Sequence, residues 1–440
     1  MRTWRIIAIL VVVFAFVMEL RPLDCFLDEY LTGPDMNVTV SQINEELVPI
    51  REYAVVLVAL LTFTVTDYLL YKPVMLFNTC CGIFVYTSLA MPPSIFQLKV
   101  TEWAKSIFMS YDIVYISYMF AKIHDKRFYQ VASGLARTAM LVGKLCASII
   151  AQTLVHVSGE SYKQLPCYSL GSMVFAFVWA FFLPPAKRSR SRKETELKAQ
   201  LLIAALNNNV PSKMPSINPE VRTEDSAPKR AWRDFNESYT NLTVLKWSVW
   251  YCVALTGYNV IKVSYVTREF GGNNQQTNRL VETLTTLIGA ICSYKIGVRR
   301  VNWELKSNAF IGSGSLILGV CVVFCYFHQQ LLSVYLSYAL FGVLMQAMIV
   351  ISLSEMAKPL KNKCYTLVLG FNSFVSVVLV LLFNVAFVRS AEVMKFTASK
   401  QLLFYGGMYI VLGTLYLIPC VVSFNRRLKK NNCPIYDVTE

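Results

Sequence analysis

Charge is what this sequence lacks. Of its 440 residues only 16% are Asp, Glu, Lys or Arg, while 55% are hydrophobic; a soluble domain carries roughly 25% charged residues. Few side chains can therefore face bulk water, which excludes an ordinary soluble globular domain. Histidine is scarce as well. His124, His156 and His328 fall in loops or at helix ends, so they form no metal or nucleophile constellation and no proton relay in mid-membrane. The twelve cysteines contain no CxxC pair, which removes a thiolate metal framework. A phosphate-binding glycine loop is missing too. Gly143-Lys144 has no upstream glycine at the required spacing and lies in an apolar run, which argues against an ATP-driven pump. Neither an enzyme nor a cofactor is expected.

Long apolar runs are what the sequence does have. A membrane-spanning helix needs about 20 mostly apolar residues, because lipid cannot satisfy an open backbone. Such runs occupy residues 4–20, 53–71, 73–90, 102–121, 131–156 and 165–183, then 247–266, 277–297, 308–327, 331–356, 364–388 and 401–424. The expectation is an all-α integral membrane protein of about twelve spans. The first run follows Arg2 and Arg5 as in a signal peptide, but Glu19-Leu20-Arg21-Pro22 offers no small-residue cleavage site. We read it as a retained helix.

The net charge of +15 raises the question of nucleic acid, and its distribution answers it. Basic residues gather in alternate loops: Lys122, Lys126 and Arg127; Lys187 to Lys193; Arg299, Arg300 and Lys306; Lys358, Lys361 and Lys363; Arg426 to Lys430. The first outer loop is acidic instead, with Asp24, Asp28, Glu29, Asp35, Glu45, Glu46 and Glu52. This is the positive-inside pattern. It predicts cytoplasmic termini, a cytoplasmic central loop and contact with anionic membrane lipid, and no nucleic-acid partner. Asn37-Val-Thr39 is then an outer glycosylation sequon, while the sequons at Asn236 and Asn241 lie inside and stay unused. Cys25 and Cys167 both fall on the outer side, which leaves a disulfide between them open. The cysteines within spans, Cys321 and Cys325 among them, read as small packing residues.

Residues 184–246 differ in composition, being first basic and then rich in Asn, Pro and Ser. They read as a cytoplasmic, mostly disordered linker, with residues 192–206 at helical spacing for the inner membrane surface. The linker divides a six-helix bundle, 1–183, from a second, 247–424, followed by a tail, 425–440. That is the two-bundle plan of major-facilitator transporters, in which the substrate sits between the halves near the midplane.

Several runs carry a more specific likeness. They are RPLDCFLDEYLTGPDMNVT from Arg21, TDYLLYKPV from Thr66, YISYMF from Tyr115, RFYQVASGLAR from Arg127 and LVLGFNSF from Leu367. Together they resemble the reduced-folate and thiamine carrier family, over nearly the whole chain. The resemblance implies a major-facilitator fold, a plasma-membrane location and uptake of a water-soluble vitamin without ATP hydrolysis. Pro22 and Gly33-Pro34 break the helix there. Asp67, next to Lys72, reads as part of an inner salt-bridge network.

Ionisable residues within spans cost at least about 2.5–3.5 kcal/mol each and mark function by default. Asp112 lies in the fourth run, Lys144 in the fifth, Lys262 in the seventh and Glu282 in the eighth, with Glu19 and Asp24 at the outer end of the first. In the folate branch that the chain resembles, a basic residue stands at the position of Asp112, and others match Gly342 and Val380 here. The thiamine branch has an acid at Asp112, an Asn and a Glu at Asn278 and Glu282, and an Asn at Asn259. The resemblance thus implies thiamine or a related organic cation as substrate, with a folate-like anion or a non-transporting receptor as alternatives. Arg51 and Leu135 replace aromatic residues of the thiamine branch. Lys144 could neutralise Asp112, and Lys262 could neutralise Glu282, making both pairs structural. Tyr115, three residues from Asp112 on one helix face, and Tyr258, beside Asn259, are the stacking candidates among Tyr111, Tyr115, Tyr118, Tyr251 and Tyr258. Gln346 on the tenth helix completes the candidate substrate set. Coupling to protons or anions is left open.

Overall fold

The structure is a computed structural model that describes residues 2–34, 36, 38–91, 94–158, 161–186, 227–269, 275–299, 301, 303–328, 330–360, 364–389 and 398–431. The glycosylation sequon at Asn37 and the stretch 192–206 lie outside these residues.

A helix stands at each of the twelve apolar runs. The first half holds Arg2–Glu19, Val48–Leu69, Lys72–Ala90, the pair Ile95–Met109 and Tyr111–Lys122, then Tyr129–Val157 and Leu165–Phe182. The second half holds Leu242–Glu269, Gln275–Val298, Trp303–Phe327, Leu331–Ala357, Tyr365–Phe383 and Ala398–Asn431. These are numbered here as spans one to twelve. Among the described residues eight helices are long and apolar enough to cross a membrane by length and composition. The second, third and sixth spans begin with proline in the first turn, where its missing N–H costs nothing. Ser94 and Gln97 close a capping box at the start of the fourth.

Two local features differ from the sequence expectation, and the pairing left open between Cys25 and Cys167 is not formed. The fourth span is interrupted by a single tightened turn at Ser110, with φ of −75° and ψ of −2°, whose hydroxyl donates to the Ile107 carbonyl at 2.8 Å. The linker ends in a helix, Ala227–Tyr239, so the seventh span starts at Leu242 and not at Trp247. That helix docks on the eleventh span. The Phe235 ring lies 4.9 Å from that of Phe371, and the Tyr239 hydroxyl donates to Asn372 at 2.7 Å. Cys25 and Cys167 are both free thiols; Cys25 interacts with Ser148 of the fifth span, whereas Cys167 is exposed.

The third, sixth, ninth and twelfth spans pack on the outside of their own halves, and the halves meet chiefly where the fifth span meets the eighth and the second meets the eleventh. Gly134 and Gly297 mark the first crossing. A Cβ on Gly134 would stand 2.6 Å from the Gly297 Cα, so the two backbones touch with no side chain between them. Gly134→Val is therefore expected to destabilise by about 1–3 kcal/mol through overpacking. An unchanged melting temperature of the purified protein would contradict this.

The face that carries Tyr129 and Tyr365 is tied across the halves. Tyr129 and Tyr365 share a hydroxyl–hydroxyl hydrogen bond of 2.7 Å. Gln130 donates to the Ile296 and Arg299 carbonyls at 2.7 and 2.8 Å, ending the eighth span. Lys126 donates to the carbonyls of Lys358 and Leu360. Asp67 does not pair with Lys72. Its carboxylate accepts from the backbone N–H groups of Leu367 at 2.8 Å and Thr366 at 3.3 Å, where the eleventh span begins and its N–H groups have no helical partner. Lys72 donates instead to the Phe181 carbonyl at 2.8 Å. Asp67 is aimed by an unusual turn just beyond it. Leu70 and Tyr71 both have φ of 64°, and Lys72 N–H donates to the Leu70 carbonyl at 2.7 Å. With ψ of −56° at Tyr71 this is a γ-turn of the rare, strained hand.

Candidate functional site

Asp112 sits in the first turn of Tyr111–Lys122, just past the interruption at Ser110. Its Oδ1 accepts from the Ile113 N–H at 2.7 Å. A carboxylate at a helix N-terminus is stabilised by the unsatisfied N–H groups and the dipole, so the break explains how a mid-span acid is tolerated. The charges acting on it are Arg137, Glu19 and Lys144. Among the described residues no ion pair joins Asp112 to a cation, so the pairing of Asp112 with Lys144 is not formed.

Arg137, the last residue of the RFYQVASGLAR run, is not among the sequence candidates. It projects from the fifth span, and its Nε donates to Gln346 Oε1 on the tenth at 2.6 Å. Gln346 Nε2 in turn faces the Tyr258 hydroxyl at 3.4 Å. The Tyr258 ring stacks on Phe341 with centroids 6.1 Å apart. A polar chain thus crosses from the first half to the second at the level of Asp112. Tyr251 shares the fields of Asp112 and Arg137. Tyr115 is fully buried, between Phe14 at 6.3 Å and Tyr111 at 5.9 Å. Its hydroxyl has no hydrogen-bond partner among the described residues.

A second cluster closes the C-terminal end of the first span. Arg21 is 5% exposed. It pairs with Glu19 at 2.7 Å and Asp24 at 3.2 Å, and its guanidinium lies over the Phe108 ring at 4.9 Å. Glu19 also accepts from the Tyr111 hydroxyl, and Asp24 from Tyr86 at 2.7 Å. Lys144 reaches this cluster only at its edge, 3.9 Å from Glu19.

The remaining candidates lie on the eighth and seventh spans. Asn278 accepts from the Tyr335 hydroxyl at 2.6 Å. Next to it, Arg279 forms an ion pair with Glu29 of the segment after the first span and covers the Phe26 ring at 4.2 Å. The opposite face is therefore tied across the halves as well. Glu282 and Asn259 are exposed, and Glu282 acts on Cys25. The Lys262 side chain, and with it the proposed pairing with Glu282, lies outside what is described. The structure thus groups Asp112, Tyr115, Gln346 and Tyr258 around Arg137, holds Asp24 in the second cluster with Glu282 acting on its neighbour Cys25, and pairs Asn278 with Tyr335. Among the described residues no group of His, Cys, Asp or Glu could hold a metal ion.

Comparison with known proteins places this geometry. The reduced folate carrier family matches residues 2–404. Human thiamine transporter 1 is 26% identical, with 98% of this chain and 92% of that protein covered. The human reduced folate transporter is 27% identical over 99% of this chain and 75% of its own length. Folate transporter 1 of Caenorhabditis elegans is 24% identical over 96% and 93%. Among solved structures, the human organic anion transporter MFSD10 superposes with a TM-score of 0.65 at 15% identity, covering 94% of this chain and all of that one. The major facilitator superfamily proton:xylose symporter XylE gives 0.65 at 11%, covering 94% and 95%. These two show the major-facilitator fold.

Proposed function

Because the chain belongs to the reduced folate carrier family, we propose that it carries a water-soluble vitamin across the membrane by alternating access, with the substrate held between the halves. The observation that carries this reading is the chain Arg137–Gln346–Tyr258. It joins the two bundles by polar contacts beside Asp112, and both faces are tied across the halves above and below it. A half-buried carboxylate at a helix N-terminus in this region supplies a negative pole, so thiamine or a related organic cation is the substrate we favour. Tyr115 supports the placement, since a buried hydroxyl without a partner costs about 1–3 kcal/mol and a substrate heteroatom would satisfy it.

The carrier is placed in the plasma membrane with both termini cytoplasmic and Asn37 glycosylated outside, in keeping with the loop charges. Uptake of radiolabelled thiamine, a reduced folate and an unrelated vitamin by cells expressing the protein tests the reading. Saturable accumulation of thiamine or the folate is expected. Binding to the purified protein without uptake would make it a receptor, and accumulation of the unrelated vitamin alone would remove the substrate class.

A further inference from the structure

Lys144 is a charged group of this region that no short contact holds among the described residues. It stands near the middle of Tyr129–Val157, and its side chain is 50% exposed. Its direction follows from its neighbours. Arg137, seven residues before it, bonds Gln346 at 2.6 Å, and Ser148, four residues after it, bonds Thr283 of the eighth span at 3.1 Å. Residues at these spacings share one helix face, so Lys144 looks into the space between the halves and not toward lipid.

Its one ion-pair partner among the described residues does not use it up. Glu19 lies 3.9 Å away, beyond hydrogen-bond distance, and its oxygens already bind Arg21 and Tyr111. The ammonium thus keeps its three donors. Around it the carboxylates of Glu19, Asp24 and Asp112 face the cations of Arg21, Arg137 and Lys144. Carboxylates and a loosely held ammonium thus stand in one region, where a substrate carrying a group of each sign finds a partner for both.

We propose that the Lys144 ammonium is the contact for an oxyanion of the transported molecule, a carboxylate or a phosphate ester, and so determines specificity toward substrates that carry separated charges. The proposal rests on the transport reading above. Its test compares wild-type, Lys144→Met and Lys144→Arg carriers at matched surface amount. Probes are thiamine, thiamine monophosphate for the phosphate arm and a reduced folate for the carboxylate arm. Uptake of at least one oxyanion probe relative to thiamine should fall roughly tenfold or more in Lys144→Met, as expected for a lost charge-assisted hydrogen bond, and be largely kept in Lys144→Arg. The probe affected names the oxyanion. An unchanged ratio for both, or a loss of surface amount alone, would make Lys144 a structural neighbour of Glu19 and overturn the proposal. Thermal stabilisation of purified protein by the same probes separates the two readings. Stabilisation that Lys144→Met abolishes, without uptake of any probe by wild type, would sink the transport reading and keep the oxyanion contact. A wild-type protein stabilised by neither oxyanion probe, and transporting neither, would remove the contact.

Discussion

An Arg21→Met carrier is expected to be lost from the cell surface. The side chain is 5% exposed and is the shared partner of Glu19 and Asp24. Methionine keeps much of the packing against Phe108 but leaves two carboxylates without their cation, one of them almost fully buried. Removing one member of a buried charge pair costs about 3–5 kcal/mol, a large part of the stability of an ordinary domain. Glu19→Gln should be milder, because Arg21 then keeps Asp24. Quantifying surface protein by biotinylation for the two variants checks the order. Normal surface amounts of Arg21→Met would mean that the cluster is dispensable for folding and is kept for another reason.

Asp112→Asn is expected to act the other way, on transport and not on folding. Asparagine is nearly isosteric and can still accept from the Ile113 N–H, and Arg137 retains Gln346. Surface amount should therefore stay within about twofold, a change of under 1 kcal/mol. Uptake of a cationic substrate should fall by roughly thirtyfold or more, since a desolvated charge partner is worth about 2–5 kcal/mol. Adding Lys144→Met should not rescue the variant, because Lys144 pairs with Glu19 and not with Asp112. Full uptake by the single variant would take Asp112 out of the site.

Much of this fold is legible in the sequence because lipid forces it to be. A helix stands at each of the twelve apolar runs, eight of them among the described residues long and apolar enough to cross a membrane, and the polar linker parts them six and six. What escapes is what depends on tertiary partners. A single serine inside an apolar run carries no breaker signal, so the interruption at Ser110 and the helix-terminal setting of Asp112 are invisible until the chain is folded. Trp232, Phe235 and Tyr239 stand at helical spacing, yet the segment reads as linker because the aromatic face it docks on, Phe371, lies more than a hundred residues away. Glu19 and Arg21 are two apart, a spacing that does not meet on a helix. They pair only because the helix ends at Glu19 and Arg21 turns back at φ −124° and ψ 84°. Arg137 is different. It lies well within an apolar run, and counting every charge in the runs would have found it.

The bare crossing of the fifth and eighth spans bears on how such a molecule can cycle. Packed side chains have discrete arrangements, and sliding one helix past another usually means jumping between them. At Gly134 and Gly297 there are no rotamers to rearrange and no knobs to lift out of holes. One bundle can pivot on the other there as on a bearing, with the resistance to motion moved outward to the tyrosine pair, the Asp67 cap and the Glu29–Arg279 bridge at the two faces. Rocking of the halves would have to break those contacts at each face in turn, while the glycine crossing could stay in contact throughout.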